Sequence, residues 1–257
     1  MNRPSTDALA GSRGTTIALA VAAVAAFAQT PSLAADTCSV RSAATVPPVV
    51  ELYTSEGCNS CPPADRWLGA LKARPDVVAL AFHVDYWDRL GWKDRFGSPA
   101  YTQRQVEQQR VNGARFPYTP QVVVDGRDRK DWPGIAVEAP ARPSPVAITL
   151  TRDGERVVAA IAVLGAAPSR LAAYWALTEG SHRTAVKAGE NEGATLSHEF
   201  VVREYQPVDA WSASRESAHA LAYTPHGAAD PAHPRLLSLV VIDAASGRPL
   251  QALSLGC

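Results

Sequence analysis

Apolar and polar positions along the chain change their period about midway. Between Val46 and Trp132, short apolar runs alternate with segments of helical spacing. Val49–Tyr53 reads as a strand, Ala64–Lys72 has the spacing of a helix, and Val77–Val84 is a second run rich in β-branched residues. Ser98–Val111 is a polar, Gln-rich helix with Ser98 as N-cap and Pro99 at its first position, where no backbone donor is lost. Gln121–Val124 is a third strand, closed by an Asp125-Gly126 turn. Strand, helix, strand, helix, strand predicts a sheet with helices on its faces.

The proline-rich segment 138–145 is a linker. Beyond it the period is that of strands. Val146–Thr151 and Arg156–Val163 flank Asp153-Gly154 as a hairpin. Leu171–Thr178, Thr184–Lys187, Leu196–Tyr205, Leu236–Asp243 and Leu250–Leu255 continue the series. Many short strands separated by turn signals predict a β-sandwich. The expected fold class is an α/β domain over 46–137 followed by an all-β, sandwich-like domain over 146–257.

The first 34 residues have a different character. Arg3 and Arg13 precede an apolar stretch, Ile17–Ala28, and the small residues Ser32 and Ala34 stand where a signal peptidase needs them. The stretch is too short for a stable bilayer anchor. This predicts a signal peptide over 1–34, a short N-terminal linker over 35–45, and a periplasmic or secreted protein with no membrane anchor after cleavage. Met1 is the single methionine, which suits an oxidising compartment. The 25 basic and 25 acidic residues cancel, and no long basic run is present, so nothing points to nucleic acid or to an anionic membrane.

The candidate chemistry lies at Cys58-Asn59-Ser60-Cys61, between the first strand and the first helix. Two thiols three positions apart can close a small disulfide ring and reopen it, one attacking and the other resolving. The same spacing also serves as half of a zinc or copper site, with His83 as a further ligand, or as an inert staple. The four cysteines allow three pairings. Export favours Cys58–Cys61 together with a structural Cys38–Cys257 bond between the chain ends. A loop that long contributes about 5 kcal/mol in the chain-entropy model.

Tyr118-Thr119-Pro120 opens the third strand. Strand, C-x-x-C, helix and then Thr-Pro before a strand resembles the thioredoxin superfamily. The resemblance implies an α/β thioredoxin-like fold for 46–137, Cys58 as attacking thiol, Cys61 as resolving thiol, and Thr119 with a cis Pro120 as substrate-docking platform. A narrower resemblance rests on Glu51-Leu-Tyr-Thr-Ser-Glu-Gly-Cys-Asn-Ser-Cys-Pro-Pro-Ala-Asp65, His83–Asp88, Leu90-Gly91-Trp92 and Gly189-Glu190-Asn191-Glu192-Gly193. These are similar to a bacterial secreted, thioredoxin-related family of unknown function. Asn59-Ser60 depart from thioredoxin's Gly-Pro, and their polar groups can hydrogen-bond a thiolate. Pro62-Pro63 set the helix start at one of those residues, leaving the cysteines in the preceding turn. Trp132–Ala141 contains two prolines in place of a final helix, so the first domain is truncated or completed by the second.

Between strand and Gln-rich helix, Asp85-Tyr86-Trp87-Asp88-Arg89-Leu90-Gly91-Trp92 is aromatic and charged. Asp85 is a candidate proton acceptor for the thiols, with His83 on the same strand face. Trp87 or Trp92 is a candidate groove wall. Glu56 is the acidic group nearest in sequence and would raise a thiol pKa by repulsion. Gly189–Gly193 reads as a hairpin tip able to cap the thiols. The expected function is exported thiol–disulfide exchange, with a protein or small thiol/disulfide substrate, a redox partner protein and no dissociable cofactor. The alternatives are a copper/zinc-binding module and a non-catalytic secreted binding protein.

Overall fold

β2 (Val49–Thr54) and β3 (Val78–His83) are buried along their whole length, as apolar runs covered on both faces must be. They lie in parallel, with Leu52 opposite Ala81. The computed structural model describes residues 38–138 and 142–256. Between β2 and β3 runs α1 (Pro62–Ala70), which packs Ala64 and Leu68 onto Val50, Leu52, Ala79 and Ala81. α2 (Pro99–Asn112) covers the opposite face; Ser98 accepts from the Ala100 N–H, and Gly113 closes the helix at positive φ. β4 (Gln121–Val124) returns antiparallel to β2 and turns through Asp125-Gly126 into the short β5 (Arg127–Asp128).

The remaining strands are β1 (Cys38–Arg41), β6 (Val146–Asp153), β7 (Arg156–Val163), β8 (Arg170–Glu179), β9 (His182–Ala185), β10 (Thr195–His198), β11 (Val201–Ser212), β12 (His219–Tyr223), β13 (Arg235–Asp243) and β14 (Pro249–Leu255). They overturn the expected fold class. The chain does not form an α/β thioredoxin-like domain followed by a separate all-β one. Among the described residues it is mostly β, with two α-helices against fourteen strands. One eight-stranded sheet, in the order β14-β13-β8-β11-β3-β2-β4-β5, takes strands from both sides of the proline-rich segment. The join is at β3, whose open edge pairs in parallel with β11 through Ala81 and Val201. An exposed strand edge is a row of unpaired backbone groups, and here the Ala81 N–H donates to Phe200 O at 2.8 Å. A sheet β1-β6-β7-β12 packs on β8, β13 and β14 around Ile148, Ile161, Trp175 and Leu239, making the sandwich.

Local differences follow from weak signals. Leu196–Tyr205 is two strands, because the chain breaks at Phe200, which has φ 56°. β1 and the Ala-rich β12 were not anticipated, and both are edges of the smaller sheet. The C-terminus of the first half is a 3₁₀ turn, Trp132–Gly134. The signal segment 1–34, its junction to residue 37, linker residues 139–141 and Cys257 lie outside the described residues, so the Cys38–Cys257 pairing is not described. Among the described residues no helix is long and apolar enough to cross a membrane.

Candidate functional site

β2 delivers the chain to the cysteines at the end of the sheet. The Cys58 N–H donates to Ser55 O at 3.2 Å, and the Cys61 N–H donates to Cys58 O at 3.2 Å, so the motif is a tight turn. Cys61 is the N-cap of α1, and its carbonyl accepts from Ala64 at 2.8 Å and Asp65 at 3.1 Å. Pro62 and Pro63 fall where helix donors have no intrahelical partner, so they cost nothing. Cys58 and Cys61 form a disulfide with Cα atoms 5.4 Å apart. Both cysteines are 0% exposed, whereas Asn59 and Ser60 face solvent. Ser60 Oγ lies 3.4 Å from Cys58 Sγ.

The Thr119–Pro120 peptide bond is cis. Tyr53 pairs with Gln121 across β2 and β4, which brings Pro120 to the end of β2 that leads into the cysteines. Gln105 of α2 holds this loop, donating to Tyr118 O at 2.8 Å and Gln121 Oε1 at 3.1 Å. Trp87 joins the two halves of the site. Its indole N–H donates to Thr119 Oγ1 at 2.8 Å. A Cβ placed on Gly57 would stand 3.1 Å from the Trp87 Cβ, so the ring's stem lies directly against the residue preceding Cys58.

Behind the turn is a buried acid–imidazole group. His83 Nδ1 is 2.7 Å from Asp94 Oδ2, and the same oxygen accepts the Glu56 N–H at 2.8 Å. Glu56 Oε2 accepts the Trp92 indole N–H at 2.8 Å, and its Oε1 stands 3.2 Å from His198 Nε2. Asp65 Oδ2 accepts from Thr54 at 3.2 Å. Burial pushes the Asp94 carboxyl up, but the charge and hydrogen bond of His83 outweigh it and hold Asp94 down at about 2. Burial pushes His83 down, yet Asp94 reverses this and its pKa is raised. In Glu56 desolvation is likewise outweighed, by the polar groups of His198, Thr184 and Trp92 around the carboxylate, of which the Trp92 indole N–H donates to it, and its pKa is lowered. For Asp65 desolvation wins and its pKa is raised. An ionised Glu56 is therefore held among donors rather than left to act as a bare charge.

The roof of the site comes from the second half of the chain. β9 and β10 pair only with each other among the described strands, Leu196 opposite Thr184. Their tip reaches the cysteine turn. Asn191 Nδ2 donates to Glu56 O at 2.8 Å and to Cys58 O at 3.0 Å, and Glu190 Oε2 accepts the Asn59 N–H at 3.1 Å.

The sequence-derived candidates thus separate. Cys58, Cys61, Trp87 and Thr119 gather at one place, with the hairpin tip above them. Asp85 is turned toward α2, where its carboxylate accepts from Thr102 Oγ1 at 2.6 Å. His83 is bonded to Asp94, and among the described residues no cluster of three or more His, Cys, Asp or Glu is arranged to hold a metal ion. Asp94 and His198 escaped sequence reading, because each stands alone among ordinary neighbours and only the fold joins them. A cleft of about 660 Å³ beside Arg127, Arg142 and Arg248 lies at the Val124 end of β4, away from the disulfide.

Residues 49–240 match a family model described as a protein of unknown function (DUF1223). The chain belongs to that family. The matched span contains the cysteine turn, the buried His83 and His198 and the β9–β10 hairpin, so the whole site is family territory. A crystal structure of protein AGR_C_4864 from Agrobacterium tumefaciens is similar at 30% identity and a TM-score of 0.64, over 82% of this chain and 94% of that one. HBP35 of Porphyromonas gingivalis shares the fold at a TM-score of 0.57 and 14% identity, over 84% of this chain and 76% of that one. No curated protein matches the chain. The narrower of the two resemblances, to a family of unknown function, is therefore shown. Nothing in these matches assigns the thioredoxin superfamily.

Proposed function

We propose that this is an exported thiol–disulfide oxidoreductase that works through Cys58 and Cys61. The supporting observation is the disulfide itself, closed across a single turn at the N-terminus of α1. The helix end and the Ser60 hydroxyl both favour a thiolate at Cys58. In the reducing direction the Cys58 thiolate attacks one sulfur of a substrate disulfide, forming a mixed disulfide and releasing the other sulfur as thiol after it takes a proton. Cys61 then attacks Cys58, the second substrate sulfur leaves as thiol, and the Cys58–Cys61 bond closes with two electrons transferred. The oxidising direction is the reverse. The dithiol carries both electrons, so no dissociable cofactor enters. A protein or small thiol/disulfide is the substrate, and a redox partner protein resets the pair in the periplasm or outside the cell.

The deciding measurement is the reduction potential of the pair, by equilibration in glutathione buffers and mass spectrometry of trapped thiols. A value between about −120 and −270 mV places it among exchange catalysts. A pair that stays oxidised to below about −300 mV is a structural bond, and the proposal then fails.

A further inference from the structure

We infer that Glu190 and Asn191 control access to Cys58: they hold the β9–β10 hairpin closed over the disulfide, and exchange starts only when the tip lifts. The inference rests on the thiol–disulfide reading of the site. Its basis is a conflict between chemistry and exposure. A disulfide exchanges by in-line approach of a thiolate to one sulfur, yet Cys58 and Cys61 are both 0% exposed. Something must move.

The candidate for movement is the element that covers the turn. Its tip is attached through side chains rather than a ladder. Asn191 spans the carbonyls of Glu56 and Cys58, on either side of Gly57, and Glu190 takes the Asn59 N–H. The strands of the hairpin add to neither of the larger sheets, so lifting the tip breaks no sheet pairing. Gly189 and Gly193 bracket it at φ 78° and 83°, conformations that glycine adopts without strain. Gly189 also seats against Trp92, where an added Cβ would come within 3.3 Å of the Trp92 Cβ. The tip thus holds backbone groups of Cys58 and of the turn residues Glu56 and Asn59, on the turn that carries the reacting sulfur.

The test is the rate at which dithiothreitol reduces the pair in the full chain, with thiols trapped and counted by peptide mass spectrometry. One dithiothreitol thiolate attacks Cys58 Sγ, and Cys61 leaves as a thiolate and takes a proton. The second dithiothreitol thiol then closes its ring and frees Cys58, moving two electrons. Asn191→Ala removes two hydrogen bonds and should react about tenfold faster than wild type. Glu190→Ala should accelerate by a smaller factor. Glu192→Ala, on the same tip with no bond to the turn, should not change the rate. Equal rates in wild type, Asn191→Ala and Glu190→Ala overturn the inference. If a variant fails to fold, wild type alone decides. Closure predicts reduction at least about tenfold slower than that of a disulfide-closed peptide spanning residues 55–63, and equal rates overturn it. A potential below the exchange range would sink the functional reading while leaving these rate ratios to judge the gate.

Discussion

His83 and Asp94 form a fully buried pair, 2.7 Å apart, with both side chains 0% exposed. Their two shifts set opposite limits on stability. His83 has a folded pKa raised above 6.5, so its contribution is complete below about pH 6.5 and is lost as pH rises through the folded value. Asp94 is lowered from 3.8 to about 2, so its contribution is complete above the unfolded value and is lost as pH falls toward about 2. Denaturant midpoints should therefore peak between these limits and decline on both sides. Asp94→Asn should flatten both limbs relative to wild type. An unchanged alkaline limb in that variant would show that the pair does not control it.

The two cysteines should be unequal. Cys61→Ser keeps the attacking thiol and loses the resolving one, so mixed disulfides should accumulate on Cys58 and be seen by non-reducing electrophoresis. Cys58→Ser should trap none. The opposite pattern would assign the attack to Cys61.

Arg104 and Glu51 meet inside the α2 face, and the Tyr53 and Tyr174 hydroxyls donate to the same carboxylate at 2.7 and 2.6 Å. Arg104 also lies over the Tyr174 ring, 4.0 Å from its centroid. Arg104→Leu leaves a buried carboxylate without its counter-charge and should cost about 3 kcal/mol in chemical denaturation. Replacing Glu51 with Gln as well should recover part of that loss.

Gly57 separates the carbonyls that Asn191 grips and faces the stem of Trp87. Gly57→Ala forces a contact near 3.1 Å unless the tryptophan shifts. A destabilisation of about 1–3 kcal/mol is expected from the overpacking. Trp87→Ala in the same chain should relieve part of it, so the paired change should cost less than the sum of the two. Strict additivity would show that the crowding is absent.

Much of the local architecture is readable from pattern alone. The helix start at Pro62, the Ser98 cap, the Asp125-Gly126 turn and the 146–163 hairpin all depend on neighbours within a few positions. Fold class was not readable, and the α/β expectation failed at β3. An apolar strand looks the same in sequence whether its edge is open or continued, and the pairing of Ala81 with Val201 spans the whole linker.

The site divides in the same way. By itself the sequence determined the cysteine turn, because two thiols at this spacing before a helix N-terminus are a local chemical fact. It also pointed to Thr119-Pro120 and to the Gly189–Gly193 tip as features in need of a role. Only the tertiary structure decided that Trp87 bridges Gly57 and Thr119, and that Glu56, His83, Asp94 and His198 share one buried cluster. It alone set Asn191 over Cys58, from 133 positions away. Those relations arise where separate elements are packed together, and desolvation and closure exist only once the strands between them have paired.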